Sequence, residues 1–146
     1  MKKRITNIYE GTTQLQVVAA IGGITSGVFA TEVRRLAEIP LKHFNEQKDE
    51  ILSHLERMNE TVQAVMAIDS KEFHDYAANF LVEMASIIYR QYLFVPFADH
   101  NETKRVNLEY FMMESRARLH YLTEMVNQLI ISYGKDIELV KESLRP

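Results

Sequence analysis

The chain predicts an all-α fold, an antiparallel up-and-down four-helix bundle, and three observations carry that expectation. No useful length of sequence alternates apolar and polar residues as a strand does. Only five glycines and three prolines interrupt 146 residues. Apolar side chains recur at spacings of three and four through three long segments, which lays one greasy seam along each helix.

The first helix begins at Thr12 or Thr13, where a hydroxyl can cap free amides, and Thr13 with Gln16 has the spacing of a capping box. Gly22, Gly23 and Gly27 follow. They mean either a break in the helix or small residues that let a neighbouring helix approach. "FATEVRRLAEIP" resumes the pattern, and Pro40 disfavours helix at Ile39 while suiting the first turn of the next one, so a boundary is expected near residues 38–41. Phe44, Ile51, Leu55, Met58, Val62 and Val65 form the second seam. Asp69 or Ser70 caps the third helix, with Glu72 favourably placed at its amino end. Its seam is Phe73, Ala77, Phe80, Met84, Ile87 and Ile88, and it is expected to end before or around Pro96. Asn101 caps the fourth helix, whose seam runs through Leu108, Met112, Leu119, Leu122, Val126, Leu129 and Tyr133 to a stop at Gly134. A short amphipathic tail, "KDIELVKESL", follows.

Composition excludes several classes of function. Seventeen Lys and Arg lie scattered among 20 Asp and Glu for a net charge of −3, which leaves no basic stripe for nucleic acid. The absence of cysteine removes disulfides, thiolate metal sites and cysteine catalysis together, and accords with the reducing cytoplasm. The uncharged stretch from Gly11 to Thr31 is no signal peptide, because Glu10, Thr12, Thr13, Gln14 and Gln16 stand where greasy residues are required. Its four glycines and polar groups also disqualify it as a membrane span. Five histidines raise the question of a di-iron carboxylate site, but none has Glu three positions before it. His43 and His54, eleven apart, could share a helix face, and solvated or capping roles suit them better; no metal is expected. Tyr76, Tyr89, Tyr92, Tyr110 and Tyr121 suit either the core or contact with another subunit.

The chemistry concentrates in "RITNIYEGTTQLQ". Taken as four residues, Tyr9-Glu10-Gly11-Thr12 reads more readily as a polar turn before a helix cap. Over its full length, with Arg4 upstream, the pair Ile8-Tyr9, the Glu-Gly-Thr core, and Gln14 and Gln16 beyond, the segment resembles the carboxyl-terminal active-site segment of the acyl-CoA dehydrogenases. Farther on, "FLVEMASIIYRQY" and "ESRARLHYLTEMV" resemble helices of the carboxyl-terminal extension found in a longer subgroup of that family.

The resemblance implies that Glu10 is the catalytic base for α,β-dehydrogenation of acyl-CoA thioesters, with hydride passing to flavin adenine dinucleotide (FAD). It implies flavin contacts from Thr12 and Gln14, with Tyr9 and Gly11 beside the substrate. Gly11 suits that place physically, since it adds no bulk and accepts unusual backbone angles. By the same resemblance, residues 1–38 end the dehydrogenase's carboxyl-terminal helical domain and residues 39–146 form the extension, the two packing as one unit. Only nine residues precede Glu10, so the expected partners are upstream dehydrogenase domains, a further copy of the chain as a homo-oligomer, acyl-CoA and an electron-transfer flavoprotein. The isolated chain is expected to be inactive and to hold no FAD, because a base without its hydride acceptor completes no turnover. A different class of function, a non-catalytic helical oligomerisation module, is the alternative.

Overall fold

The structure, a computed structural model, describes residues 21–143. Among these residues there is no strand, and the fold is an all-α helical bundle. Residues 21–25 are helical, and four helices follow: α1 (Val28–Ala37), α2 (Asn45–Met66), α3 (Lys71–Asp99) and α4 (Arg105–Ser143). A 3-10 turn, Glu102–Lys104, leads into α4.

Gly27 decides between the two meanings of the early glycines. It sits at φ +87°, the left-handed region, and separates residues 21–25 from α1. Among the described residues, a Cβ built at Gly22, Gly23 or Gly27 would meet nothing within 4 Å, so no described helix uses their smallness. The first sequence segment is therefore broken, and α1 buries Ala30, Val33 and Ala37 on one side.

Residues 38–44 form a longer connection than the sequence suggests. Helix α1 stops at Ala37 near the expected boundary, but α2 starts only at Asn45, so Pro40 lies within the connection and not in the first turn of α2. The connection is held from a distance. Asp99 accepts the Lys42 backbone N–H at 2.8 Å and the His43 N–H at 2.6 Å. Phe44 then caps α2 at φ 60°, an unusual angle for an aromatic residue, with the Arg105 guanidinium 5.6 Å from its ring centroid.

That clamp sets a pH dependence. Burial pushes the Asp99 carboxyl up, but the two backbone donors outweigh it and hold the pKa below the ordinary aspartate value. A depressed pKa makes its contribution present above the unfolded-state pKa and lost as pH falls through the folded one. Acid unfolding followed by circular dichroism should therefore begin at higher pH in Asp99→Asn, whose amide can accept only one of the two N–H groups.

Helix α2 realises its predicted seam: Ile51, Leu55, Met58, Val62 and Val65 are buried, while Phe44 packs half-buried at the edge. Ser70 is the cap of α3, its hydroxyl accepting the Phe73 N–H at 3.2 Å. Helix α3 does not end at Pro96 but continues to Asp99. Proline forfeits one helical hydrogen bond. Burial of Val95 and Ala98 and the Asp99 clamp hold this last turn in place despite that loss. Asn101 caps the 3-10 turn, its side-chain oxygen accepting from the Thr103 N–H and hydroxyl.

The fourth helix departs most from expectation. It spans 39 residues and passes through Gly134 into the predicted separate tail. Glycine stops a helix by adopting positive φ, and among the described glycines only Gly27 does so. Gly134 is exposed, with no described atom within 4 Å of a would-be Cβ. Gly134→Ala should therefore raise the unfolding free energy by up to about 1 kcal/mol in urea titration.

Leu108, Met112, Leu119, Leu122 and Val126 join the seams of α2 and α3 in one core. Phe73 meets Tyr133, Glu83 pairs with Arg118, and Phe94 stacks on Phe111. Partners fall along α4 as the chain rises along α3, so these two helices run in opposite directions.

Candidate functional site

Arg4, Tyr9, Glu10, Gly11, Thr12, Gln14 and Gln16 all lie outside the described residues. The structure begins beyond them, at helical residues 21–25 and the Gly27 turn. Beneath this entry lies a groove of about 410 Å³, formed by Gly23, Ile24, Val28 and Phe29 against Val82, Ala85 and Tyr89 of α3. Its lining is almost wholly apolar among the described residues, with Glu32 the one charged member among them. Such a lining suits a packed protein face and not the pyrophosphate of a dinucleotide.

A second feature joins three helices. On α2, His54 is buried, and its Nδ1 lies 3.3 Å from Oε1 of Gln91, which is wholly buried on α3. The Nε2 edge of His54 stands 3.6 Å from Glu50, one turn earlier on α2. Glu50 in turn accepts a two-pronged contact from Arg116 of α4, at 2.5 Å from Nε and 3.1 Å from Nη2.

As positioned, Gln91 Nε2 is buried without a partner among the described residues. Turning the amide over lets Nε2 donate to His54 Nδ1 and directs a ring N–H, in place of a lone pair, toward the Glu50 carboxylate. That tautomer is favoured, because a lone carbonyl is cheaper to leave unpaired than a lone N–H. Burial holds the His54 pKa below the ordinary value, outweighing the Gln91 contact and the Glu50 charge, so the ring is neutral at pH 7. The Arg116 contact lowers the pKa of Glu50.

His54 also lines a cleft of about 530 Å³ between α2 and α4, floored by Met84 of α3. The sequence reading missed this network, although its signal was present. His54 falls three residues after Ile51 and four before Met58, and Gln91 falls three after Ile88, so both occupy core-facing register. His43 sits exposed in the connection before α2 and shares no helix face with His54. Among the described residues, no group of three or more potential metal ligands gathers. No described helix is long and apolar enough to cross a membrane. Of the tyrosines, Tyr92 is buried, while Tyr76, Tyr89, Tyr110 and Tyr121 are exposed.

Comparison with known proteins adds a family match. The model of the family "Acyl-CoA dehydrogenase C terminal" matches residues 25–130. The fold is similar to the crystal structure of an acyl-CoA dehydrogenase family protein from Porphyromonas gingivalis, with a TM-score of 0.71 and 22% identity. That alignment covers 75% of this chain and 96% of the other. No curated protein matches significantly.

Proposed function

Because the chain belongs to the acyl-CoA dehydrogenase C-terminal family, we propose that it is the terminal portion of a flavin-dependent acyl-CoA dehydrogenase and carries that enzyme's catalytic base. The observation that carries this reading is the position of "RITNIYEGTTQLQ", which closes at Gln16, shortly ahead of the matched region that opens at residue 25.

In this role Glu10 removes the proton from the carbon next to the thioester carbonyl. A carboxylate held against substrate in a dry site becomes a stronger base than in water, which suits it to a carbon acid. Its backbone N–H helps polarise the thioester carbonyl, and Tyr9 and Gly11 shape the space beside the acyl group. FAD, bound in the intact enzyme, supplies the hydride acceptor. The described groove beside Gly27 does not fit that cofactor, so Thr12 and Gln14 meet it together with upstream domains. Residues 1–38 complete the catalytic helical domain and residues 39–146 are the extension. Their union in one unit is supported by α1, which buries Ala30 and Val33 in the same core as the longer helices. The apolar groove beside residues 23–29 offers a face for the upstream domains. The protein works in the cytoplasm, and the intact enzyme takes acyl-CoA and passes electrons to an electron-transfer flavoprotein.

Incubation of the purified chain with FAD, removal of the excess, and a visible absorption spectrum provide the test. The proposal expects no retained flavin from the chain alone and a flavin spectrum once the upstream domains are supplied. Flavin retained by the chain alone, with acyl-CoA turnover insensitive to Glu10, would sink it.

A second reading, a helical oligomerisation module, is supported by the exposed side chains of Leu93, Phe97, Tyr110 and Tyr121. Sedimentation over a concentration series separates it from a monomeric bundle, and homo-oligomer formation is compatible with both readings.

A further inference from the structure

We propose that the cleft between α2 and α4 binds a small amphipathic anion, one that joins a phosphate or carboxylate head to a short apolar body. The proposal rests on the cleft alone and does not depend on the dehydrogenase reading.

The charges on its walls are unusual for this chain. Acidic residues outnumber Lys and Arg overall, 20 to 17. Yet the cleft is lined by two arginines and two histidines, Arg57 and His54 from α2 and Arg116 and His120 from α4, with no Asp or Glu among the described residues that line it. Arg116 is held by Glu50 through two of its nitrogens. Among the described residues, Arg57 and His120 have no ion-pair partner. The Thr123 hydroxyl adds a neutral donor on the α4 wall. A guanidinium, an imidazole and a hydroxyl facing one space are groups that recognise a phosphate or carboxylate.

Beneath this rim the cleft is apolar. Met84 rises from α3, and Leu119 from α4 completes the floor. A volume of about 530 Å³ exceeds what an inorganic ion occupies and falls within the range of small-molecule sites. Methionine on a floor adapts to more than one ligand shape. The complementary molecule therefore has two ends, and neither end alone uses the whole site.

His54 forms the inner edge of the cleft. It is nine-tenths buried, its Nδ1 edge engaged by Gln91, while its Nε2 edge stands beyond hydrogen-bond distance of Glu50 at 3.6 Å. With the amide turned as argued above, this edge carries an N–H directed toward Glu50, on a residue that lines the cleft.

The test uses three probes on the full chain: octyl phosphate below its micelle concentration, octanol, and inorganic phosphate. Titration is followed by the ring-proton NMR signals of His54 and His120. Octyl phosphate should shift both signals saturably, and octanol and inorganic phosphate should bind at least about tenfold more weakly, since each lacks one end. The double variant Arg57→Gln/His120→Gln changes two exposed side chains and keeps the fold, checked by its melting curve. It should weaken octyl phosphate by about tenfold or more. Added salt should weaken the wild-type interaction and affect the variant less.

Three results would overturn the proposal. Octanol binding as tightly as octyl phosphate would reduce the cleft to an apolar slot. Undiminished binding by the variant would remove the charged wall from recognition. Saturable shifts confined to the exposed tyrosines, with His54 and His120 unmoved, would place the ligand elsewhere.

Discussion

Glu10→Gln, introduced into an intact dehydrogenase carrying this chain, is expected to slow acyl-CoA-dependent flavin reduction by roughly 10²–10⁴-fold. The substitution keeps the side chain's shape and much of its hydrogen bonding but removes the group that accepts the proton. If Glu10 only capped the helix that follows, an amide would serve nearly as well and turnover would hardly change. Flavin content and melting temperature should therefore match the wild type while the rate collapses. Stopped-flow bleaching of the flavin by acyl-CoA reads the chemical step directly, and a loss below about tenfold would return the segment to a polar turn. Thr12→Val in the same enzyme should instead lower flavin content, which separates the two proposed roles.

Leu122→Ala should cost about 3 kcal/mol of unfolding free energy, within the roughly 2–5 kcal/mol range for buried leucines. Leu122 is wholly inaccessible and lies centrally in the α4 seam, between Leu119 and Val126 in the common core. Truncation removes buried methyl groups and leaves a hole that helices locked by other seams cannot close. Val28→Ala provides the contrast, because Val28 is 64% exposed and its loss should change stability by no more than about 0.5 kcal/mol. Urea titrations of both variants provide the check. The Leu122→Ala midpoint should fall with an unchanged slope, since a changed slope would mean an altered unfolded or native state and not a simple cavity.

Where the fold was legible in the sequence, spacing made it so. The run Phe44, Ile51, Leu55, Met58, Val62 and Val65 predicted one buried face, and all are buried but Phe44, which is half-buried at its edge. Ser70 was one of two residues named as the α3 cap, and its hydroxyl is the one that accepts an exposed amide. The errors came where local signals met distant contacts. Phe44 holds a left-handed angle beside a connection clamped by Asp99, 56 residues from His43, and no window of sequence contains that clamp. Pro96 and Gly134 each weaken a helix by an amount that packing or simple continuity outweighs. The candidate site divides similarly. The Glu10 motif is a contiguous string and can be read directly, whereas the polar network of Glu50, His54, Gln91 and Arg116 is assembled from three helices. Its only local trace was polar residues in core-facing register.

The break at Gly27 bears on how such a chain can change over evolutionary time. In an uninterrupted helix each inserted residue turns everything downstream by about 100° and advances it by about 1.5 Å. One insertion would swing a buried seam toward water. Gly27, at φ +87° with no described atom within 4 Å of a would-be Cβ, ends one helical phase before the next begins. Residues gained or lost at this joint need not rotate Ala30 and Val33 out of the core. Lineages can therefore vary the length of the chain here while inheriting the bundle unchanged.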